Sequence, residues 1–251
     1  MKIISANVNG IRAAYKKGLL DFINAEKPNI LCLQEIKANR QDIPDEVQNI
    51  DGYQLITNCA NKKGYSGVAV YTKNKPISVN DKLGMKRFDE EGRMLELEYP
   101  GFTLLNLYFP HGGRNKENLE YKLEVYEKFF EKLKEIKDKN VILIGDFNIA
   151  HTEIDLARPK QNQDNIMFTP IERKQINKLI SLGFVDTFRI FNKENGNYTW
   201  WSYAFNARTR NMGWRIDYCF VSKGMKAKVQ NAKIFSYAPC LSDHCWVGIE
   251  V

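Results

Sequence analysis

The sequence predicts an α/β sandwich, two mixed sheets packed face to face and flanked by helices. Three observations point there. Apolar runs of strand length recur along the chain, some joined by short turns and others by helical stretches. A long amphipathic segment sits mid-chain. No repeat, low-complexity tract or Pro/Gly-rich linker divides residues 1–251, so the 43% hydrophobic content is expected to fill one large domain.

The first apolar run places a strand at Lys2 to Val8, followed by a helix near Gly18 to Glu26 and a strand at Ile30 to Gln34. Further strands are expected at Ser66 to Thr72, Met94 to Glu98 and Thr103 to Tyr108. Leu119, Leu123, Tyr126, Phe129, Phe130 and Leu133 recur at helical spacing and predict a helix over about Lys116 to Lys137. The aliphatic run Val141 to Gly145 reads as the next strand. Thr169 as N-cap, Pro170 at the first position and Glu172 in the first turn start a helix that runs to Leu182. The final strands are expected at Tyr198 to Ser202, Ile216 to Ser222, Ala232 to Tyr237 and Trp246 to Val251.

Five of the apolar runs deliver a carboxylate, amide or imidazole at or near their C-terminal ends. They end in Asn7-Val8-Asn9, Gln34-Glu35, Gly145-Asp146-Phe147-Asn148, Ile216-Asp217 and Ser242-Asp243-His244. A strand interior desolvates a charge only at high cost, so such groups belong at one open sheet edge. Glu35 and Asn9 offer the hard oxygen atoms that Mg²⁺ or Mn²⁺ prefers, although Glu35 alone reads equally well as an exposed strand-end glutamate. Asp146 and Asn148 can hold and deprotonate a water, or form an Asx turn after the glycine. Asp243 and His244 offer a metal ligand and a charge stabiliser; a lone His is more often structural, but the chain has only 3. Asp217 either orients the imidazole or pairs with Arg215. Together these groups permit metal-assisted hydrolysis.

The ordered set Asn7-Val8-Asn9-Gly10, Leu33-Gln34-Glu35, Lys63-Gly64-Tyr65-Ser66-Gly67-Val68-Ala69, Gly145-Asp146-Phe147-Asn148, Tyr198-Thr199-Trp200-Trp201, Gly213-Trp214-Arg215-Ile216-Asp217-Tyr218 and Ser242-Asp243-His244 resembles the exonuclease III family of apurinic/apyrimidinic endonucleases, over nearly the whole chain. The resemblance implies a four-layer α-β-β-α sandwich. It implies Glu35, Asn9 and Asp243 as metal ligands, and Asp146 as the group that orients and deprotonates water, helped by Asn148 and Asn7. His244, held by Asp217, would contact a phosphate oxygen, and Tyr108 would orient the reacting phosphate. Asn162 matches a target-phosphate contact, and Asn165 a neighbouring one. Trp200, Trp214 and Ile216 match a pocket for a sugar without its base, which can exclude an intact nucleotide; read as residues alone, the tryptophans are core or edge packing. Gly64 and Tyr65 match duplex-backbone contacts, and Arg114 an arginine that reaches into the duplex. Two departures stand out: some members carry Asp where this chain has Asn9, and His111 replaces a common Asn or Ser, reading equally as phosphate contact and surface residue.

Composition agrees. Lys and Arg total 37 against 30 Asp and Glu, a net charge of +7 that favours polyanionic partners. Arg12, Lys16, Lys17, Lys62, Lys63 and Lys160 are placed to supply basic surface around the acidic site, whereas the run Lys132 to Lys139 reads as a solvated helix face. The 5 cysteines form no Cys-x-x-Cys pair, so neither disulfides nor zinc are indicated, and Cys32, Cys219 and Cys245 read as core residues. With no membrane-length apolar stretch and no signal-peptide pattern, the expectation is a cytoplasmic monomer that does not engage membranes. The resemblance implies a Mg²⁺-dependent phosphodiesterase, with Mn²⁺ as substitute, that cuts duplex DNA 5′ to abasic sites and leaves a 3′-hydroxyl and a 5′-deoxyribose phosphate. Trimming of blocked 3′ ends and 3′→5′ exonuclease action are expected side reactions. The rivals are a superfamily phosphoesterase acting on inositol phosphates, sphingomyelin or RNA tails, and a silent module that only binds damaged DNA.

Overall fold

The computed structural model describes residues 1–136, 138–235 and 241–251. Its strands are β1 (Lys2–Asn7), β2 (Ile30–Gln34), β3 (Gln54–Asn58), β4 (Val68–Thr72), β5 (Ser78–Asn80), β6 (Met94–Tyr99), β7 (Phe102–Tyr108), β8 (Val141–Asp146), β9 (Phe184–Asp186), β10 (Asp217–Ser222), β11 (Asn231–Phe235) and β12 (Trp246–Glu250). The helices are α1 (Ile11–Lys16), α2 (Leu19–Glu26), α3 (Asp45–Gln48), α4 (Lys86–Glu90), α5 (Leu119–Ile136), α6 (Pro170–Ser181) and α7 (Thr187–Phe191).

The apolar runs are apolar on both sides because each central strand is covered on both sides. Successive strand residues point to opposite faces. Ile3, Ile30, Cys32, Val68, Val70, Ile142, Ile144, Cys219 and Val221 face a core between the sheets. Their neighbours Ile4, Leu31, Leu33, Ala69 and Tyr71 pack on residues of α1, α2 and α3. Val141, Leu143, Leu105 and Phe220 pack on α5 and α6. Helix, sheet, sheet and helix therefore stack as four layers, as expected. The sheets are six-stranded, in the orders β11-β12-β1-β2-β4-β3 and β5-β6-β7-β8-β10-β9. Both are mixed: β1 runs parallel to β2 and β7 to β8, with antiparallel pairs on either side. Each parallel pair carries its C-terminal ends to the same edge, which puts Asn7 beside Gln34 and Tyr108 beside Asp146.

Three expectations change. Tyr198 to Ser202 is not a strand; Trp200 makes only isolated bridges to Trp214 and His244, because the Thr199 hydroxyl accepts the Ile216 and Asp217 N–H groups at 3.0 and 3.1 Å. The β4 strand begins at Val68 instead of Ser66, since Ser66 and Gly67 both adopt positive φ. The central helix starts at Leu119, and along it Lys122 is fully buried while Leu119 and Leu123 are only half-buried. Lys137 of that helix, and Ser236 and Tyr237 of the strand expected at Ala232 to Tyr237, lie outside the described residues. The α6 start is as expected: Thr169 and Glu172 form a capping box behind Pro170. Among the described residues no helix is long and apolar enough to cross a membrane.

Arg215 settles its own alternatives. Its guanidinium is fully buried and pairs with Asp155 and Asp186, at 2.7 Å each, and not with Asp217. Arg189 adds a second cation to Asp155. Burial alone would raise the Asp155 carboxyl, but the charges and hydrogen bonds of Arg215 and Arg189 hold it well below the ordinary carboxylate range. A group depressed on folding contributes stability in full above its unfolded value of about 3.9, and loses it as pH falls towards the folded value. Asp155→Asn is therefore expected to lower stability at pH 7 by about 3–5 kcal/mol, because it leaves buried cationic charge undercompensated. Melting curves from pH 7 to pH 2.5 should show a shallower acid decline in the variant than in the wild type; parallel declines would remove Asp155 from the account.

Candidate active site

The strand ends of both sheets meet at one rim, and one amide joins them. Asn7, the last residue of β1, donates through Nδ2 to Glu35 Oε1 at 2.9 Å and to Asp146 Oδ2 at 3.0 Å. Asp146 closes β8, and its other oxygen accepts the Asn148 backbone N–H at 2.8 Å. Asp217 opens β10 directly opposite Asp146 in the antiparallel register, and accepts from His244 Nδ1 at 2.9 Å. One ligand-type atom each of Glu35, Asp146 and His244 lie within 4.8 Å of one another. The residue before Asp146 must be glycine: at Gly145 a Cβ would lie 2.0 Å from the Leu107 carbonyl oxygen.

Local backbone strain places these groups. Asn9, Glu35, Lys37 and Asn148 all adopt left-handed φ between +45° and +52°, which costs a non-glycine residue on the order of 1 kcal/mol or more and gathers at functional sites. The turn after β2 swings Lys37 back so that its ammonium bonds Glu35 Oε2 at 2.8 Å and reaches Asn9 Oδ1. Asn9 Nδ2 in turn donates to Asp243 Oδ1 at 2.9 Å, and Trp200 Nε1 donates to Asp243 Oδ2 at 2.9 Å.

The acids crowd one another in a poorly hydrated place. Burial, reinforced by the charges of Asp217 and Glu35, raises the Asp146 carboxyl to about 7, against the opposing pull of His244. Burial would depress His244, yet Asp217, Asp146 and Asp243 raise it to about 10, so the imidazole is a cation at neutral pH. Glu35 resists the upward push of burial because Lys37 and the Asn7 amide hold it below its ordinary value. Tyr108 is raised by burial and by Glu35, while the Arg93 guanidinium, 4.5 Å from its ring centre, works the other way.

The expected pocket residues also converge. Trp200 and Trp214 pack against Ile216, Phe168, Met167 and Leu156, with the Phe168 and Trp214 rings edge to face at 6.3 Å. Arg12, Lys16, Lys37 and Gly64 line a groove of about 600 Å³ beside the Glu35 turn. Tyr65 is tied to the site by Arg93, which donates to its hydroxyl at 3.0 Å and to the Tyr108 carbonyl at 3.2 Å. Other expected contacts lie further out. Asn165 donates to Asn162 at 2.7 Å and Asn162 to the carbonyls of Ala157 and Arg158, on a turn of their own. Arg114 and His111 are exposed, and exposed Lys17 donates to the Leu241 carbonyl. Sequence reasoning missed Lys37, Arg93, Thr199 and Lys122. Only Lys37 left a signal, two residues after a strand-end acid.

Residues 4–244 match the family model described as Endonuclease/Exonuclease/phosphatase family. The chain belongs to that family. It is a hydrolase of that class, in keeping with the strand-end carboxylates. An exodeoxyribonuclease of Bacillus subtilis (strain 168) is 42% identical over 254 residues, covering 100% of this chain and 99% of that protein. Recombination repair protein 1 of Drosophila melanogaster is 45% identical over 253 residues; these are 99% of this chain but 37% of that protein, so the chain spans little more than a third of that relative. An AP endonuclease from Archaeoglobus fulgidus has the same fold, with TM-score 0.90 and 26% identity over 100% of this chain and 98% of that one.

The donor set fits a hard divalent cation: carboxylate and amide oxygens converge, and Lys37 already supplies positive charge to Glu35 and Asn9. Glu35 and Asp146 are the carboxylates that lie closest together, with the cationic His244 beside them, whereas Asp243 is joined to Glu35 through Asn9 and Lys37. Glu35→Gln is expected to weaken Mn²⁺ binding to the free protein by at least about tenfold, since losing even an outer partner of a metal ligand commonly costs that much. An unchanged Mn²⁺ titration by electron paramagnetic resonance would take Glu35 off the ligand list.

Proposed function

We propose that this hydrolase cleaves the phosphodiester backbone of duplex DNA on the 5′ side of abasic sites, leaving a 3′-hydroxyl and a 5′-deoxyribose phosphate, with Mg²⁺ as its cation. The observation that carries this reading is the buried Asp146 carboxylate, held on both oxygens by Asn7 and Asn148 and raised towards neutrality beside a cationic His244. A base with proton affinity near the working pH transfers protons most effectively, and such transfer contributes about 10²–10⁴-fold. Asp146 takes the proton from the attacking water. Asn7 and Asn148 keep its lone pairs aimed, and His244, oriented by Asp217, offers positive charge to a phosphate oxygen. Tyr108, stacked on Arg93, presents its hydroxyl to the same phosphate. Glu35 and Asn9, with Asp243, would hold the cation, which when bound would supply Lewis-acid charge to the phosphate.

The walls of the site support this substrate class. Trp200 and Trp214, half-buried over the buried Ile216, put an apolar surface next to Asp243, of a kind that suits a sugar stripped of its base. The basic groove at Arg12 and Lys16, with Gly64 and Tyr65 alongside, supplies a track for the DNA backbone. The same site suits 3′→5′ exonuclease action and trimming of blocked 3′ ends, which the exodeoxyribonuclease relative supports. Arg114, Asn162, Asn165 and Lys17 are the outer duplex contacts.

The test is cleavage of a duplex carrying one abasic site, with and without Mg²⁺, against the same duplex intact. Asp146→Asn keeps the shape of the carboxylate but removes the base, so it should bind the abasic duplex with near wild-type affinity while single-turnover cleavage falls by about 10²-fold or more. Cleavage at the wild-type rate would end the role given to Asp146.

A further inference from the structure

Behind the catalytic loop lies an ion pair that the reaction as described does not use. Lys122 of α5 and Glu172 of α6 are both fully buried, their charged atoms 2.5 Å apart. An ammonium in the interior demands a partner for each of its donors. Lys122 meets that demand with Glu172, with the Asn148 carbonyl at 2.7 Å and with the His111 carbonyl at 3.2 Å. Glu172 is equally committed, accepting the Met167 N–H at 3.0 Å, the Thr169 N–H at 3.1 Å and the Thr169 hydroxyl at 2.6 Å. One buried cation thus ties together the loop after β7, the loop after β8 and the start of α6.

The loop after β8 is the one that aims the catalytic carboxylate. Asn148 sits at φ +52°, a conformation that a non-glycine residue holds only when its surroundings impose it. In that conformation its N–H reaches Asp146 Oδ1, and its side-chain amide reaches Asp146 Oδ2 at 3.2 Å and the Phe109 carbonyl at 2.9 Å. We propose that Lys122 is a positioning residue for the reaction: by gripping the Asn148 carbonyl, it holds Asn148 left-handed and so keeps both Asp146 oxygens aimed at the attacking water. The proposal rests on Asp146 being the base. Lys122 touches no reacting atom and acts only through Asn148.

Lys122→Met alone leaves Glu172 buried without a counter-charge and should melt well below the wild type. The deciding variant is Lys122→Met/Glu172→Gln, which buries no net charge and should recover most of that loss. If Lys122 positions the loop, this double variant still binds the abasic duplex with wild-type affinity but cleaves it about 10²-fold more slowly in single turnover, the usual consequence of a misplacement near 1 Å. Hydrogen exchange at the Asn148 amide, followed in the free protein on a peptide spanning 145–151, should quicken in the double variant. Wild-type turnover and wild-type protection in a refolded double variant would overturn the proposal and leave Lys122 a residue of the core. Should the wild-type protein fail to cut abasic DNA, the functional reading falls, and the exchange comparison still decides whether Lys122 holds the loop.

Discussion

The site depends on the joint where the two sheets meet, and the narrowest point of that joint is the side-chain amide of Asn7. Its NH₂ group has two donors, one spent on Glu35 from its own sheet and the other on Asp146 from the facing sheet. Deeper in, Gln34 Nε2 donates to Asn106 Oδ1 at 2.7 Å, and Asn106 donates to the Leu33 and Ala69 carbonyls, further cross-sheet bonds in a core that is mostly apolar. Shape complementarity alone would let two apolar faces slide; buried amides that must be satisfied across the joint fix where they stop. The distances among Glu35, Asp146 and His244 are therefore a property of the whole sandwich.

That joint concentrates negative charge. Two unit charges 4 Å apart repel by about 4 kcal/mol at the effective dielectric of a protein near its surface, so carboxylates facing one another here must be offset. His244 sits against Asp217, and Lys37 against Glu35. Burial, with what repulsion is left, raises Asp146. Catalytic readiness and electrostatic discomfort are one arrangement, tolerated because the four-layer core and the Asp155–Arg215–Asp186 cluster supply rigidity elsewhere.

Much of the site was legible because its logic is local: a polar group at the end of an apolar run has nowhere to go but the sheet edge. Glu35 and Asp146 were readable that way, and the fold class with them; Asp217 and His244 reach the same rim from the other direction, at the start of β10 and just before β12. The strand expected at Tyr198 to Ser202 failed because aromatic and β-branched composition cannot reveal that the Thr199 hydroxyl takes the N–H groups another strand would need. Short elements such as β3, β5, β9, α1, α4 and α7 carry too few residues to show a period. Lys122 left no signal, since its buried partner is 50 residues away and no spacing within the helix points to it. The partners of Arg215 were hidden for the same reason, as were the links from Arg93 to Tyr65 and Tyr108, although Arg93 also pairs with Glu91 two residues away.

The central claim is that water, activated at Asp146, attacks phosphorus beside an abasic sugar. Cleavage of an abasic duplex in ¹⁸O-labelled water, with mass analysis of both product ends, tests it most directly. The account predicts one labelled oxygen in the phosphate of the 5′-deoxyribose phosphate product, opposite an unlabelled 3′-hydroxyl. A phosphate without label, or an unsaturated sugar fragment on the 3′ end, would mean strand scission by elimination and would contradict it.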